Sequence, residues 1–348
     1  MDIKIFNIAN IDDYKAFLKQ RKIELDIYYD ADFLTLDAGL IHGEFEIYTI
    51  AEGSSVFVYP YIKRPLENPY GKYFDITSPY GYCGPYCSDG PFLNKAEVSF
   101  IKYALENSIV TEFVRYHFLY NADLKFSENI KNEKNRVILT IDLNEDWENI
   151  WMKEMSATNR NIVRKLEKEG FLFTIEAQHD DMDTFIRMYN MTMKNAGADD
   201  FYYFPDYFYH QLFKKLNGKI FLAKVFKDGE IFSSSLFIKS GSFFTYYLSA
   251  RNVKWPQIPA SNLILTNAIK FAKEQNCKWF NLGGGRTNST QDALFKFKSN
   301  FCRQHVDFYI GKRIHNKEVY DNIVSDWIAR YGLEDFNKRN HMLQFYRN

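Results

Sequence analysis

The sequence predicts an α+β protein made of two similar halves, each with a mixed, mostly antiparallel sheet flanked by helices. Three observations support this fold class. Runs typical of strands alternate with longer apolar runs typical of helices along the chain. Both halves contain a hairpin that is followed by an apolar helix and another strand. The length of 348 residues is sufficient for two domains.

The hairpins of the two halves match in detail. The first reads YTIAEGSSVFVYPYIK with Gly53 in its turn, and the second reads AKVFKDGEIFSSSLFIK with Gly229 in its turn. Each then reaches an aromatic-Ile-Lys triplet, which ends at Lys63 or Lys239. The match indicates a duplicated unit, although a hairpin followed by a helix is also common among unrelated sequences. We place an N-terminal domain at residues 1–145 and a C-terminal domain at residues 146–348.

The first half contains six predicted elements. They are a helix over 11–25, strands over 43–50 and 55–63, a helix over 95–108, and strands over 110–119 and 135–143. Between the hairpin and the second helix lies the proline- and glycine-rich stretch SPYGYCGPYC. This stretch is typical of a stiff, tightly bending loop.

The second half is richer in predicted helices. Apolar residues recur at helical spacing from Trp147 to Met155, and Ser156 or Thr158 is a candidate cap for a second helix that ends at Gly170. The later elements are helices over 182–193 and 207–216, a three-stranded meander over 219–250, a helix over 261–276, a strand over 278–285, a short helix over 292–300, a strand over 305–312 and terminal helices.

Composition excludes several classes of function. The 44 basic and 44 acidic residues cancel, so no charge excess favours DNA or a membrane surface as a partner. No run approaches the ~20 apolar residues of a membrane span, and the N-terminus lacks the pattern of a signal peptide. We therefore expect a cytoplasmic protein without a transmembrane segment. The 25 tyrosines fit a cleft with tyrosine-lined walls.

The cysteines do not form a convincing redox or metal motif. A thioredoxin-like pair has two residues between its cysteines, whereas Cys83 and Cys87 have three. Cys277 and Cys302 are isolated, and no histidine pair accompanies them. We interpret SPYGYCGPYC as a turn and predict no metal site, and a thiol redox protein is kept as the least favoured alternative.

Two basic motifs are candidate anion sites. Arg160 and Arg164 lie four residues apart in NRNIVRKLEKEG and share a helix face, with Lys165 beside them. Such a row suits a phosphate or carboxylate, although a solvated helix face is the more common explanation of a charge run. In DALFKFKSNF, Lys296 and Lys298 point to different faces of a short helix, so one of them could enter a cleft while the other is solvated.

A third candidate site is a cluster of glycines. NLGGGRTNS places Gly283, Gly284 and Gly285 directly after a predicted strand, where backbone can approach a ligand closely. The pattern is neither GxGxxG nor a P-loop, which disfavours a nucleotide-binding fold. A plain flexible turn is the alternative.

Taken in order, these motifs resemble the FemAB-like acyltransferases, which include the aminoacyl ligases of peptidoglycan bridge formation. The stretches that carry the resemblance are SPYGYCGP, SATNRNIVRKLEKEG, TYYLSA, IPASNLI, WFNLGGG and DALFKFKSNF, and together they run from about residue 20 to residue 312. The resemblance implies two tandem GNAT-like (acyl-CoA N-acyltransferase-like) domains. It also implies that an acceptor amine attacks an aminoacyl ester on tRNA or an acyl-CoA thioester, without a covalently bound cofactor.

The resemblance also implies roles for particular residues. FKSNF matches a Phe-Lys-x-x-Phe pattern, which makes Lys298 the candidate for stabilising the transition-state charge and Phe297 a residue that places it. The remaining implied residues bind substrate: Arg160, Arg164 or Lys165 would clamp a phosphorylated acceptor, Tyr247 and Ser249 would line the cleft, and Tyr80 and Tyr82 would form its wall. We expect the ammonium of Lys298 to meet an anion in a crevice between the two halves.

We therefore predict an N-acyltransferase that moves an acyl or aminoacyl group to an amine of a cell-envelope precursor, such as a peptidoglycan peptide or an amino sugar. The candidate partners are a phosphorylated sugar or a peptidoglycan precursor as acceptor, and tRNA. The chain lacks the helical insert of some Fem ligases, and RNVKWPQIPA lacks the glycine-rich CoA signature of ordinary GNAT enzymes. The donor therefore stays open. A non-catalytic module with the same two domains is the alternative.

Overall fold

The computed structural model of the chain describes residues 1–120, 130–177 and 181–347. The chain divides into two compact units, each built from segments that are distant in sequence. Unit 1 consists of Met1–Ile23, Tyr28–Asn135 and Phe308–Asn348. Unit 2 consists of Glu24–Ile27 and Arg136–Asp307.

The described strands are β1 (Asp2–Phe6), β2 (Glu44–Glu52), β3 (Ser55–Pro65), β4 (Phe74–Thr77), β5 (Tyr86–Cys87), β6 (Ile109–Arg115), β7 (Lys131–Asp142), β8 (Leu172–Glu176), β9 (Ile220–Lys227), β10 (Glu230–Ser240), β11 (Phe243–Arg251), β12 (Trp279–Gly283) and β13 (His305–Ile314). The described α-helices are α1 (Ile11–Gln20), α2 (Ala31–Leu40), α3 (Gly90–Glu106), α4 (Trp147–Asn149), α5 (Ala157–Lys168), α6 (Met182–Ala196), α7 (Asp206–Lys215), α8 (Ala260–Glu274), α9 (Ala293–Lys298), α10 (Lys317–Tyr331) and α11 (Leu333–Arg339).

The sheet of unit 1 has the strand order β1-β2-β3-β4-β6-β13. Its neighbouring strands pair antiparallel, except β4 and β6, which pair in parallel. Helix α3 lies between β4 and β6 in the chain, as a parallel connection requires. An aromatic core packs beneath α3, where the ring centroids of Tyr59 and Phe100 are 4.9 Å apart.

The sheet of unit 2 has the matching order β8-β9-β10-β11-β12-β7. Its neighbouring strands again pair antiparallel, except one parallel pair, β11 and β12, with α8 between them in the chain. In both units two helices separate the first and second strands. The repeated architecture predicted from the two hairpins is therefore present, and both units have the predicted mixed, mostly antiparallel sheet with helices.

The limits of α5 follow the sequence signals closely. Ser156 is its N-cap, because the hydroxyl accepts a hydrogen bond from the backbone N–H of Asn159 at 3.1 Å. Thr158, the other candidate cap, lies inside the helix. The helix ends before Gly170, whose φ of +83° is the left-handed conformation that glycine adopts most readily.

The division into units differs from the predicted boundary in two places. Unit 2 resumes at Arg136 rather than at residue 146, and Phe308–Asn348 belongs to unit 1 rather than to the C-terminal domain. Strand pairing is the physical reason. The C-terminal part of β7 pairs with β12, whereas residues 310–314 of β13 pair with β6. Helix α10 also packs in unit 1, with Val319 against the cluster that contains Val110.

Two features are absent from the described residues, 1–120, 130–177 and 181–347. Within them, no helix has both the length and the apolar character needed to cross a membrane. The same residues contain no cluster of three or more histidine, cysteine, aspartate or glutamate side chains arranged to hold a metal ion.

Candidate active site of unit 2

Lys298 is the last residue of α9, and only 8% of it is exposed. Asp292 caps the start of this short helix by accepting hydrogen bonds from the N–H groups of Phe295 at 3.0 Å and Arg286 at 3.1 Å. Lys296 lies on the same helix but is exposed. Residues two positions apart in a helix are about 200° apart around its axis. The cap and the helix together therefore turn Lys298 inward and Lys296 outward.

The ammonium of Lys298 has an incomplete set of partners. It donates one hydrogen bond to the carbonyl oxygen of Gly284 at 2.9 Å and lies 5.6 Å from the ring centroid of Tyr246. An ammonium has three N–H donors. The other two meet no acceptor among residues 1–120, 130–177 and 181–347. A buried cation with spare donors is a suitable receptor for an anionic oxygen.

Burial lowers the pKa of Lys298 to about 8, because the charged ammonium loses the stabilisation of water. The carboxylate of Asp292 opposes this shift and the guanidinium of Arg136 adds to it. At neutral pH the side chain is still mostly protonated. It is nevertheless a stronger acid than an exposed lysine, so it can donate a stronger hydrogen bond to a developing oxyanion.

Gly283, Gly284 and Gly285 form a close-packed turn that begins at the last residue of β12, and we call it the glycine turn. A Cβ atom on Gly285 would lie 2.6 Å from Oδ1 of Asp292, and one on Gly284 would lie 3.1 Å from the carbonyl oxygen of Val137. Gly283 has a φ of +70°. The glycines therefore allow the turn to pack against both β7 and the cap of α9.

Arg136 of β7 also contacts the glycine turn. Its Nη1 donates a hydrogen bond to the carbonyl oxygen of Gly285 at 3.3 Å, next to the carbonyl that receives Lys298. Two cations from distant parts of unit 2 thus meet consecutive carbonyl groups. Arg136 was not among the residues predicted from the sequence, because nothing in KNEKNR distinguishes it from its charged neighbours.

The parallel strands β11 and β12 separate next to this site. They are paired only at residues 243–245 and 279–281, whereas β11 continues to Arg251. We call the opening beyond the last paired residues, Thr245 and Asn281, the fork. A bulge in β11 lies just inside the fork, because Leu248 pairs with Leu236 and Tyr246 with Phe237, which leaves Tyr247 as the additional residue.

The bulge decides which tyrosine meets Lys298. The sequence predicted that Tyr247 lines the cleft. The ring beside the ammonium belongs to Tyr246, and Tyr247 is the half-buried bulge residue. Burial raises the pKa of Tyr246, while hydrogen bonds with Ser249 and Ser235 oppose the rise. Ser249 also accepts a hydrogen bond from Ser235 at 3.1 Å, so it supports the tyrosine next to Lys298. Phe297 is half-buried and packs on Phe301 with ring centroids 5.4 Å apart.

The basic residues of α5 have different surroundings. The guanidinium of Arg160 donates hydrogen bonds to the carbonyl oxygens of Trp151, Met152 and Met155, so it caps the preceding helical segment. Arg164 is exposed and lies 5.6 Å from the ring of Trp151. Lys165 is exposed and forms an ion pair of 3.7 Å with Glu169. The three therefore do not form a single cluster of cations.

Tyr80 and Tyr82 belong to unit 1, in the loop SPYGYCGPYC. Tyr80 is 37% exposed, and its backbone N–H donates to Oδ2 of Asp37 at 2.8 Å. Burial raises the pKa of Asp37 to about 6, although this hydrogen bond and Arg115 oppose the rise. The ring of Tyr82 is half-buried and makes edge contacts with the rings of Tyr28, Phe118 and Phe308.

The cysteines of this loop are built into the fold. Cys83, Cys87, Cys277 and Cys302 are all buried, and none of them forms a disulfide bond within the described part of the chain. The thiol of Cys83 lies 3.4 Å from the carbonyl oxygen of Tyr28, and its backbone N–H donates a hydrogen bond to the backbone carbonyl oxygen of Arg115. Burial raises the pKa of Cys87, which disfavours the reactive thiolate.

Comparison with known proteins agrees with this architecture. Residues 153–298 match the family described as "Acetyltransferase (GNAT) domain", and the match ends at Lys298. FemX, a solved structure, is similar to the chain with a TM-score of 0.71 and 14% identity, covering 92% of this chain and 99% of that one. L-PGS from Bacillus licheniformis is similar with a TM-score of 0.56 and 14% identity, covering 87% of this chain and 91% of that one.

One relative is similar in sequence. The UDP-N-acetylmuramoylpentapeptide-lysine N(6)-alanyltransferase of Weissella viridescens is 28% identical over 110 residues. The alignment spans 31% of this chain and 32% of that protein, so it covers about a third of either. Together the comparisons confirm the predicted resemblance to FemAB-like GNAT proteins and the predicted two-domain GNAT-like fold.

Proposed function

We propose that this protein is an N-acyltransferase that transfers an aminoacyl group to an amine of a peptidoglycan precursor. The observation that carries the proposal is the buried ammonium of Lys298, which retains two N–H donors beside the fork. The name of the Weissella viridescens relative supports this acceptor and an alanyl or similar aminoacyl group.

The geometry of unit 2 supports this chemistry. When an amine attacks an ester or thioester carbonyl, negative charge develops on the carbonyl oxygen. A preorganised cation in a water-poor site stabilises that charge far better than it would in water. The pKa of about 8 keeps Lys298 protonated at neutral pH while strengthening its hydrogen bond to the oxyanion. Tyr246, supported by Ser249, is the proposed wall of the carbonyl site.

The fork supplies a place for an extended donor. Separated strands expose backbone hydrogen-bonding groups, to which an amide-bearing chain can bind by strand addition. The glycine turn, at the end of β12, lets such a chain approach the backbone closely. Both an aminoacyl-tRNA terminus and an acyl-CoA arm are extended, so both remain candidate donors, and either would be expected to act in the cytoplasm.

The acceptor is proposed to be held by other side chains. Arg164 and Lys165 are exposed on α5 and are the proposed contacts for a phosphorylated sugar of the precursor. Arg160 is less suited to bind the phosphorylated sugar, because its guanidinium already donates hydrogen bonds to three carbonyl oxygens. The exposed side chain of Tyr80 is a proposed substrate contact within unit 1, whereas Tyr82 is mainly part of an aromatic cluster.

The test is transfer by the purified protein. UDP-N-acetylmuramoyl-pentapeptide is incubated with alanyl-tRNA or with acetyl-CoA, and the product is identified by mass spectrometry. We expect product with one of these donors. Lys298→Met is expected to lower kcat by about 10²–10³-fold, whereas Lys296→Met, on the exposed side of the same helix, is the matched control and should retain activity.

Two results would count against the proposal. Binding of a donor without product from any acceptor would indicate a non-catalytic module. A Lys298→Met variant with wild-type kcat would remove the role assigned to the ammonium, even if transfer were observed.

A further inference from the structure

A row of three polar side chains crosses the sheet of unit 2 at the last paired residues before the fork. Asn281 of β12 pairs with Thr140 of β7 on one side and with Thr245 of β11 on the other. Residues directly opposite each other on neighbouring strands project from the same face of a sheet. The three side chains therefore lie side by side, and we call them the polar row.

Each member of the polar row has a buried polar atom without a hydrogen-bond partner in the described part of the chain. These atoms are Thr140 Oγ1, Asn281 Nδ2 and Thr245 Oγ1. The three residues are 0%, 0% and 3% exposed. Most buried polar atoms in folded proteins are hydrogen-bonded to protein or to ordered water. Three adjacent exceptions indicate that a partner normally occupies this place.

The amide of Asn281 has a defined orientation. Its Oδ1 accepts a hydrogen bond from the N–H of Gly283 at 2.8 Å. An amide turned the other way would bring its NH₂ group against that N–H, so the oxygen must stay on the Gly283 side and Nδ2 must point elsewhere. The missing partner of Asn281 is therefore a hydrogen-bond acceptor. Each threonine hydroxyl can donate or accept.

The surroundings of the polar row are apolar. On the same face, Thr245 pairs with Ile238, and Ile138 lies two residues before Thr140, with 1% and 0% exposed. Valine would fill either threonine position with nearly the same shape and no unbonded hydroxyl. Structural packing alone therefore does not explain why both positions are threonine.

We propose that the polar row binds a small oxygen-bearing group, whose oxygen accepts a hydrogen bond from Nδ2 of Asn281 and bonds to a hydroxyl of Thr140 or Thr245. Two sources have this chemistry. One is a resident water molecule, which accepts from the amide and donates to a hydroxyl. The other is a carbonyl or hydroxyl oxygen of the acyl donor entering the fork, and this second source rests on the function proposed above.

Replacing threonine with valine tests the proposal by the sign of the stability change. Two control variants calibrate it. Thr49→Val removes a buried hydroxyl that donates to the carbonyl oxygen of Lys4 at 3.0 Å, so its Tm should fall. Thr174→Val removes a hydroxyl that has no hydrogen-bond partner among the described residues and lies outside the polar row. The Tm of this variant should therefore be unchanged or higher. Thr140→Val and Thr245→Val are compared with both.

The sources give different results. With a resident water, Thr140→Val or Thr245→Val lowers Tm by about 2 °C or more, as Thr49→Val does. If the bound oxygen belongs to the acyl donor, the Tm of Thr140→Val or Thr245→Val should change as that of Thr174→Val does. The KM of the variant for alanyl-tRNA or acetyl-CoA should then rise about tenfold, which is the loss expected from one missing hydrogen bond. The proposal is overturned if both variants follow Thr174→Val in Tm and keep wild-type kinetics. If this protein shows no transfer activity, the kinetic comparison does not apply. In that case the proposal is overturned when the Tm values of Thr140→Val and Thr245→Val change as that of Thr174→Val does.

Discussion

Lys298→Met is expected to make unit 2 more stable at neutral pH although it slows the proposed catalysis. The lowered pKa of about 8, against 10.5 for an exposed lysine, means that the folded protein disfavours the ammonium by roughly 3 kcal/mol. Methionine has a similar length and adapts to irregular space. Loss of the hydrogen bond to Gly284 costs about 1 kcal/mol. The expected net gain is about 2 kcal/mol, or roughly 4–8 °C in Tm.

The gain should depend on pH in a defined direction. Between about pH 8 and 10.5 the unfolded chain keeps the lysine proton that the folded protein has lost. The unfolded state then binds more protons, so the stability of the wild type rises with pH across this window. The methionine variant has no proton to lose at this position. Its advantage should therefore be full below pH 8 and shrink toward pH 10.5.

Thermal unfolding at pH 7 and at pH 10 measures both effects. Lys296→Met is the matched control, because it removes an exposed lysine from the same helix and should change Tm little. If Lys298→Met were no more stable than Lys296→Met at pH 7, the charged Lys298 would not destabilise the folded protein. A Tm difference that stayed constant between the two pH values would show that the pKa of Lys298 is not lowered.

Two further substitutions test the packing of each unit. Gly285→Ala is expected to lower Tm by several degrees, because its Cβ would lie 2.6 Å from Asp292 Oδ1, whereas Gly39→Ala, with nothing within 4 Å, should not. Glu112→Gln should cost about 3 kcal/mol at pH 7, because buried Arg313 loses one charged partner. Burial alone would raise the pKa of Glu112, but Arg313 opposes that effect and helps to lower the pKa to about 2. The stability advantage of the wild type over Glu112→Gln should therefore be full above pH 4.5 and vanish toward pH 2. Equal urea midpoints for the two proteins at pH 7 would refute this prediction.

Local signals explain which elements the sequence predicted. The turns at Gly53 and Gly229 both have positive φ, and both join paired strands as predicted. The elements that were missed lack such signals. Helix α2 is apolar around most of its circumference and shows almost no periodic face, and β8 is a short edge strand with only partial burial.

The site was less predictable because its contacts join residues that are distant in sequence. The FKSNF motif identified Lys298, but its hydrogen-bond partner lies in the glycine turn and its neighbouring ring lies in β11. The second cation at the glycine turn comes from β7. The sequence predicted that Tyr247 lines the cleft, but the ring beside Lys298 belongs to Tyr246, which precedes the one-residue bulge. A bulge depends on the pairing of two strands, so the sequence of β11 alone does not specify it.

The two units show why the same fold carries the proposed chemistry in only one of them. Both have a parallel strand pair at the same place in the strand order. In unit 1 the buried charge next to that pair is satisfied, because Glu112 bonds with Tyr59, Arg313 and His315. In unit 2 the buried charge is Lys298, which has one hydrogen bond and two spare donors among the described residues. A cation with spare donors can bind a transient anion, whereas a carboxylate that already has three bonded partners contributes mainly to stability.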